Sequence, residues 1–82
     1  MKKIYNIKPN RILNCTGFRC PEPVFRTRIE MDKISVNEIL EVIADDPAAE
    51  EDISSLVRRL GQELINTRRE GTSLHIFIRK TK

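Results

Sequence analysis

The sequence predicts a small α/β (α+β) protein, built as βαβαββ, with a four-stranded mixed sheet and two helices packed on one face. Three observations predict it. Residues 37–44 contain the branched run Ile39-Leu40-Glu41-Val42-Ile43, a strand signature, between two helical segments. Ala49, Ile53, Leu56, Val57 and Leu60 recur at three- and four-residue intervals, and Gly61 ends the segment. Finally, Leu64-Ile65-Asn66-Thr67 and Ser73–Arg79 flank Glu70-Gly71, as the arms of a hairpin do.

The remaining elements follow in order. Arg11-Ile12-Leu13-Asn14-Cys15 is apolar in its middle and closed by Thr16-Gly17, so it reads as the first strand. Pro9 bars the preceding residues from a central ladder and leaves Ile4-Tyr5-Asn6-Ile7 at most an edge position. A helix is expected from Pro21 to about Lys33, because proline is tolerated in a first turn whose N–H groups lack intrahelical partners. Its apolar positions, Val24, Phe25, Ile29 and Met31, fit helical spacing imperfectly. For the second helix, Asp46 is the expected N-cap and Pro47 the first helical residue. In the last strand Leu74, Ile76 and Ile78 share one face and His75, Phe77 and Arg79 the other. With helices on one side only, Phe77, Ile39 and Ile43 are expected on the open face.

The 82 residues are expected to form one domain over 1–82, too small for a separate cofactor domain. No long apolar run and no basic-then-apolar opening is present, so neither a membrane span nor a signal peptide is expected. Two cysteines are too few for a disulfide framework, which favours a reducing, cytoplasmic location. The net charge of +3 is unevenly spread: +5 over residues 1–36, −6 over 37–63 and +4 over 64–82. Basic termini packed together would suit phosphates or an acidic protein. The scattered aromatics, Tyr5, Phe18, Phe25 and Phe77, argue against a stacking platform and hence against direct nucleic-acid binding.

The informative stretch is Gly17-Phe18-Arg19-Cys20-Pro21-Glu22-Pro23. Cys20 directly precedes the expected helix, where the positive end of the dipole and open N–H groups favour a thiolate. Its pKa is therefore expected to be depressed. Pro21 and Pro23 lack N–H groups, so Glu22 is the single early helical donor available to the sulfur, and the two rings stiffen the turn. Arg19 would favour the thiolate and Glu22 oppose it. Gly17 provides backbone freedom where strand turns into helix.

Other candidates are weaker. Cys15, at a strand end, reads as a core thiol, with a Cys15–Cys20 disulfide switch as the alternative role. Two Cys and the single His75 make an incomplete metal set, and no metal or cofactor is expected. Asp45-Asp46 and Glu50-Glu51-Asp52 are accounted for by a charged helix start.

The chain resembles the TusA/SirA family of small sulfur-carrier proteins, most strongly over residues 11–80. The resemblance rests on the Cys20-Pro21-Glu22-Pro23 box preceded by Gly17. Leu40-Glu41-Val42, Ala44-Asp45-Asp46-Pro47-Ala48, Asp52-Ile53, Gly61, Glu63-Leu64 and Ile78-Arg79-Lys80 support it. Asn14 stands where the family usually has Asp, Asn37 where a turn Gly is common, Ser54 for a frequent Pro and Gln62 for a frequent His. The resemblance implies a two-layer sandwich and a persulfide carried on Cys20. It also implies a donor such as a cysteine desulfurase or rhodanese-like protein, and an acceptor protein thiol. Family relays feed tRNA thiolation, cofactor biosynthesis or sulfur oxidation. Such a carrier is sulfurtransferase-like rather than a self-sufficient metabolic enzyme, and Arg19 and Arg26 would guide docking to acidic partners. A thiol redox regulator and a basic nucleic-acid-binding module are the competing readings.

Overall fold

A computed structural model describes residues 8–82, so the expectation for Ile4-Tyr5-Asn6-Ile7 lies outside the described residues. The elements are β1 (Arg11–Asn14), α1 (Glu22–Met31), β2 (Ile39–Ala44), α2 (Ala49–Leu60), β3 (Glu63–Glu70) and β4 (Ser73–Arg79). The expected βαβαββ order is what forms. The sheet runs β1-β2-β4-β3, with β1 parallel to β2 and the other pairs antiparallel. β4 thus inserts between β2 and β3, and its ladder pairs both neighbours.

The inner face is set by strand alternation. Leu40, Val42 and Ala44 lie opposite Ile78, Ile76 and Leu74 in the β2–β4 register, and all six are buried. Met31 of α1, Ile34 beyond it, and Ala49, Ile53 and Val57 of α2 close over them. Both helices therefore cover one face, as expected. Each fully buried aliphatic side chain contributes about 1.5–3 kcal/mol of transfer free energy.

Two elements depart from the sequence reading. Helix α1 is shorter than Pro21–Lys33 and buries Pro23, Thr27 and Met31, while Phe25 (60%) and Ile29 (55%) are exposed. Thr27 can sit inside because its hydroxyl donates to the Pro23 carbonyl at 2.7 Å. A polar residue thereby joins the inward stripe and turns two apolar ones outward. Helix α2 starts at Ala49, not Pro47, with Ala48 as its N-cap. Asp46 still caps the turn: one carboxylate oxygen accepts the Ala48 N–H at 3.0 Å and its carbonyl accepts the Ala49 N–H at 2.9 Å.

The other ends follow their chemistry. Gly61 terminates α2 at φ 74°, and Gly71 opens the two-residue β3–β4 turn at φ 61°. Asn37 takes φ 75°, the left-handed region that Asn tolerates better than most side chains. On the outer sheet face Phe77 is buried at 2% exposure rather than open, with the Arg68 guanidinium 5.6 Å from its ring centre. Ile39 and Ile43 are half-buried there. His75 lies on the same face, 2.5 Å from a Glu41 carboxylate oxygen. Among the described residues, no helix is long and apolar enough to cross a membrane.

This packing makes a direct prediction. Ile76→Ala, in the centre of the buried ladder, should lower unfolding free energy by about 2–5 kcal/mol, whereas Ile12→Ala, exposed on β1, should change it by under about 0.5 kcal/mol. Urea denaturation of the two variants checks this, and equal effects would contradict the assigned core.

Candidate functional site

Parallel pairing of β1 with β2 brings the loops that follow them together, and both helices begin from those loops. The Cys15 N–H bonds the Ile43 carbonyl at 2.6 Å, extending the ladder one residue past β1. Asn14 then turns the chain: its side-chain oxygen accepts the Thr16 N–H at 2.9 Å. An Asn carbonyl oxygen suffices for that bond, so the missing Asp is not needed here. Gly17 sits at φ 89°, a conformation that disfavours any side chain, and the Phe18 N–H bonds back to the Cys15 carbonyl at 3.1 Å.

The β2–α2 loop holds this turn from the side. Asp45 accepts the Gly17 N–H at 2.9 Å and the Arg19 guanidinium at 3.0 Å through one oxygen. Asp46 accepts the Cys20 N–H at 2.6 Å with the oxygen not used for Ala48. These bonds hold both carboxyls below the ordinary carboxylate range. For Asp45 the Gly17 N–H is the main stabilising bond, with Arg19 adding to it; for Asp46 the Ala48 N–H leads, then Cys20. The sequence reading gave both aspartates to the start of the second helix, Asp46 as its N-cap, and missed their grip on the cysteine loop. The signal was present: the run 44–48 belongs to the family pattern, but nothing in its spacing says that it meets a loop 26–28 residues earlier.

Cys20 is exposed and carries a free thiol. Its Sγ lies 3.1 Å from Oδ2 of Asp52 in the first turn of α2. The expected depression of its pKa is corrected: the thiol is pushed up, first by its hydrogen bond to Asp52, then by partial desolvation and by the charges of Asp52 and Asp46. The reasons are local. Pro21, not Cys20, takes the N-cap position of α1. The Glu22 N–H bonds the Arg19 carbonyl at 2.8 Å instead of the sulfur. The Arg19 guanidinium is engaged by Asp45.

The rest of the box divides by burial. Pro23 is fully buried and joins α1 to the core, while Pro21 and Glu22 are exposed. Glu22 pairs with Arg26 at 3.0 Å, and the Arg26 guanidinium lies 4.3 Å from the centre of the Phe18 ring. Both arginines expected to guide docking, Arg19 and Arg26, are exposed at the site and already paired with a carboxylate. Cys15 is buried at 0% exposure within the core, where burial pushes its thiol pKa up. The structure thus puts the two sulfurs in separate environments, one in the core and one at the surface, and they form no disulfide. His75 sits on the face opposite the helices, paired with Glu41. Among the described residues no cluster of His, Cys, Asp and Glu could hold a metal ion, and no cavity adjoins Cys20.

The basic C-terminal block does not form an open cationic face either. Arg79 pairs with Glu63, Arg69 with Glu50 at 3.1 Å and Arg68 with Glu70 at 3.0 Å. Lys80 donates to the Met31 and Ile34 carbonyls, both at 2.9 Å, at the end of α1. Gln62, in place of the frequent His, holds the C-terminal strand end through the Thr81 N–H at 2.6 Å.

The clamp has a pH signature. Because Asp45 and Asp46 titrate lower folded than unfolded, their stabilisation is complete above the ordinary carboxylate range and is lost as pH falls through their folded values. Urea midpoints should therefore decline on acidification, and the Asp45→Asn, Asp46→Asn double variant should start lower at neutral pH and decline less. An equally steep decline in the double variant would remove the clamp as its source.

Comparison with known proteins matches this arrangement to one family. Residues 11–80 fit the family model described as sulfurtransferase TusA. The chain is 36% identical over 72 residues to the sulfur carrier protein TusA of Pseudomonas putida strain W619, covering 88% of this chain and 90% of that one. It is 32% identical over 69 residues to the sulfur carrier protein TusA of Allochromatium vinosum, covering 84% and 91%. A relative from Archaeoglobus fulgidus is 58% identical over 53 residues, 65% of this chain and 69% of its own. In fold, a crystal structure of a SirA-like protein from Desulfitobacterium hafniense superposes with a TM-score of 0.77 at 14% identity, over 88% of this chain and 99% of that one. With the family model and these relatives in agreement, the chain belongs to the TusA family.

Proposed function

We propose that this protein is a sulfur carrier that accepts sulfane sulfur on Cys20 as a persulfide and relays it to an acceptor thiol. The observation that carries the reading is an exposed, free sulfur on a loop whose backbone is clamped at Gly17 and Cys20, with no cavity around it. Such a sulfur is presented to other proteins rather than enclosed over a small substrate. The relatives' role as sulfur carriers agrees with this.

Each transfer is an exchange at sulfur. The Cys20 thiolate attacks the terminal sulfur of a donor persulfide, a new S–S bond forms, and the donor's inner sulfur leaves as a thiolate with the bonding pair. In the second half an acceptor thiolate attacks the terminal sulfur of Cys20-S-SH, and Cys20 leaves as thiolate. No oxidant, metal or cofactor enters the balance. The donor would be a persulfide-bearing protein such as a cysteine desulfurase or a rhodanese-like protein. The acceptor would be a protein thiol in tRNA thiolation, cofactor biosynthesis or sulfur oxidation. The protein acts as a carrier between enzymes, in the cytoplasm, and the sulfur step needs neither membrane nor nucleic-acid contact.

Intact-mass measurement after incubation with a cysteine desulfurase and cysteine tests the reading. One added sulfur atom is expected on the wild type and on Cys15→Ala, and none on Cys20→Ser. Alanine is the right control at position 15, because a serine hydroxyl there would be buried in the core at a cost of about 1–3 kcal/mol. Absence of an adduct with every sulfane donor tried would overturn the proposal. A second expectation concerns pH: alkylation of Cys20 by iodoacetamide should keep accelerating above the midpoint of an ordinary cysteine, since its thiol is held protonated. A midpoint below the ordinary value would contradict the contact with Asp52.

A further inference from the structure

The Cys20–Asp52 contact joins two elements separated by 32 residues, and its geometry is fixed from both sides. On one side the Cys20 N–H is tied to Asp46 at 2.6 Å. On the other, Asp52 belongs to the first turn of α2, its own N–H bonded to the Ala48 carbonyl at 3.1 Å, with the fully buried Ile53 as its neighbour. The backbones of both partners are thus held in place.

An ionised carboxylate only accepts hydrogen bonds. Toward Cys20 it therefore treats two sulfur species in opposite ways. The thiol offers a proton and is held. A persulfide anion offers none and meets a like charge at the same place.

We propose that Asp52 is a positioning residue that distinguishes the empty carrier from the loaded one. It holds the thiol sulfur against α2 and repels the persulfide anion, turning the terminal sulfur outward to the acceptor. This rests on the sulfur-carrier reading and adds to it a residue that sets when the sulfur is presented. In loading, Cys20-SH and a donor persulfide anion become a Cys20 persulfide anion and a donor thiol. The S–S bond forms at Cys20 Sγ and breaks at the donor. The proton leaves the Asp52 contact and ends on the donor's departing sulfur, and nothing is oxidised overall.

The charged groups around the sulfur are unequal. The β2–α2 loop contributes Asp45 and Asp46, α2 contributes Asp52, α1 contributes Glu22, and the cations Arg19 and Arg26 are paired with Asp45 and Glu22. Asp46 has both oxygens occupied by N–H groups of the loops, and Asp45 has one oxygen taken by the Gly17 N–H and Arg19. Asp52 is the carboxylate in contact with the sulfur itself.

Asp52→Asn removes the charge and keeps the shape, and Asp52→Ala removes both. In the empty protein both should move the pH midpoint of Cys20 alkylation downward and speed alkylation at neutral pH by about three- to tenfold. After loading with inorganic polysulfide, alkylation of the persulfide at neutral pH should be no faster in either variant than in the wild type. Unchanged thiol midpoints in folded variants would overturn the proposal, as would a persulfide accelerated as much as the thiol. A measurement on the unaltered protein serves if the variants fold poorly. The carbon NMR signal of the Asp52 carboxyl at neutral pH should shift on loading, as the hydrogen bond from the thiol is lost, and an unchanged signal would refute the proposal. The thiol measurements involve no sulfur transfer, so they report on Asp52 even if Cys20 cannot be loaded. Failure of loading would count against the carrier reading alone.

Discussion

The bond from the Cys20 backbone N–H to the Asp46 carboxylate, 2.6 Å long, is the contact on which the site's geometry depends. It exists because β1 and β2 are parallel neighbours, so the loops leaving them emerge side by side, the usual place for function in sheets with parallel strands. Asp46 spans both loops, taking Cys20 with one oxygen and Ala48 with the other. Asp45 repeats the arrangement on Gly17 and Arg19. Two helices start from the clamped loops, and Glu22, Glu50, Glu51 and Asp52 occupy their first turns, where negative charge complements the dipoles. Of these four, Asp52 is the one in contact with the sulfur.

Much of this was legible in the sequence, and the failures share a cause. Element order, the hairpin and the inward face of α2 follow from local periodicity, because Ile53, Leu56 and Val57 need only a sheet to pack on. Cys15 as a core thiol and Cys20 as the exposed one follow from their places at a strand end and before a helix. The imperfect apolar spacing of α1 is explained by Thr27, which bonds its own helix and can be buried, leaving Phe25 and Ile29 outside. The state of Cys20 was misread because Asp46, Asp45 and Asp52 act across 26 to 32 residues of sequence. Local rules give a carboxylate its nearest helix. They cannot show that it also holds a distant loop.

The state of Cys20 changes what the two prolines do. A cysteine before a helix ordinarily gains from the open N–H groups of the first turn. Here Pro21 and Pro23 have none, and that of Glu22 is bound to Arg19 rather than to the sulfur. The box therefore supplies geometry, through the buried Pro23 ring and the turn at Pro21, while Asp52 governs charge. For sulfur exchange the consequence is defined. Raising a thiol's pKa lowers its thiolate fraction tenfold per unit, whereas nucleophilicity recovers only about half of that on a logarithmic scale. The empty carrier is accordingly slow toward stray disulfides and electrophiles.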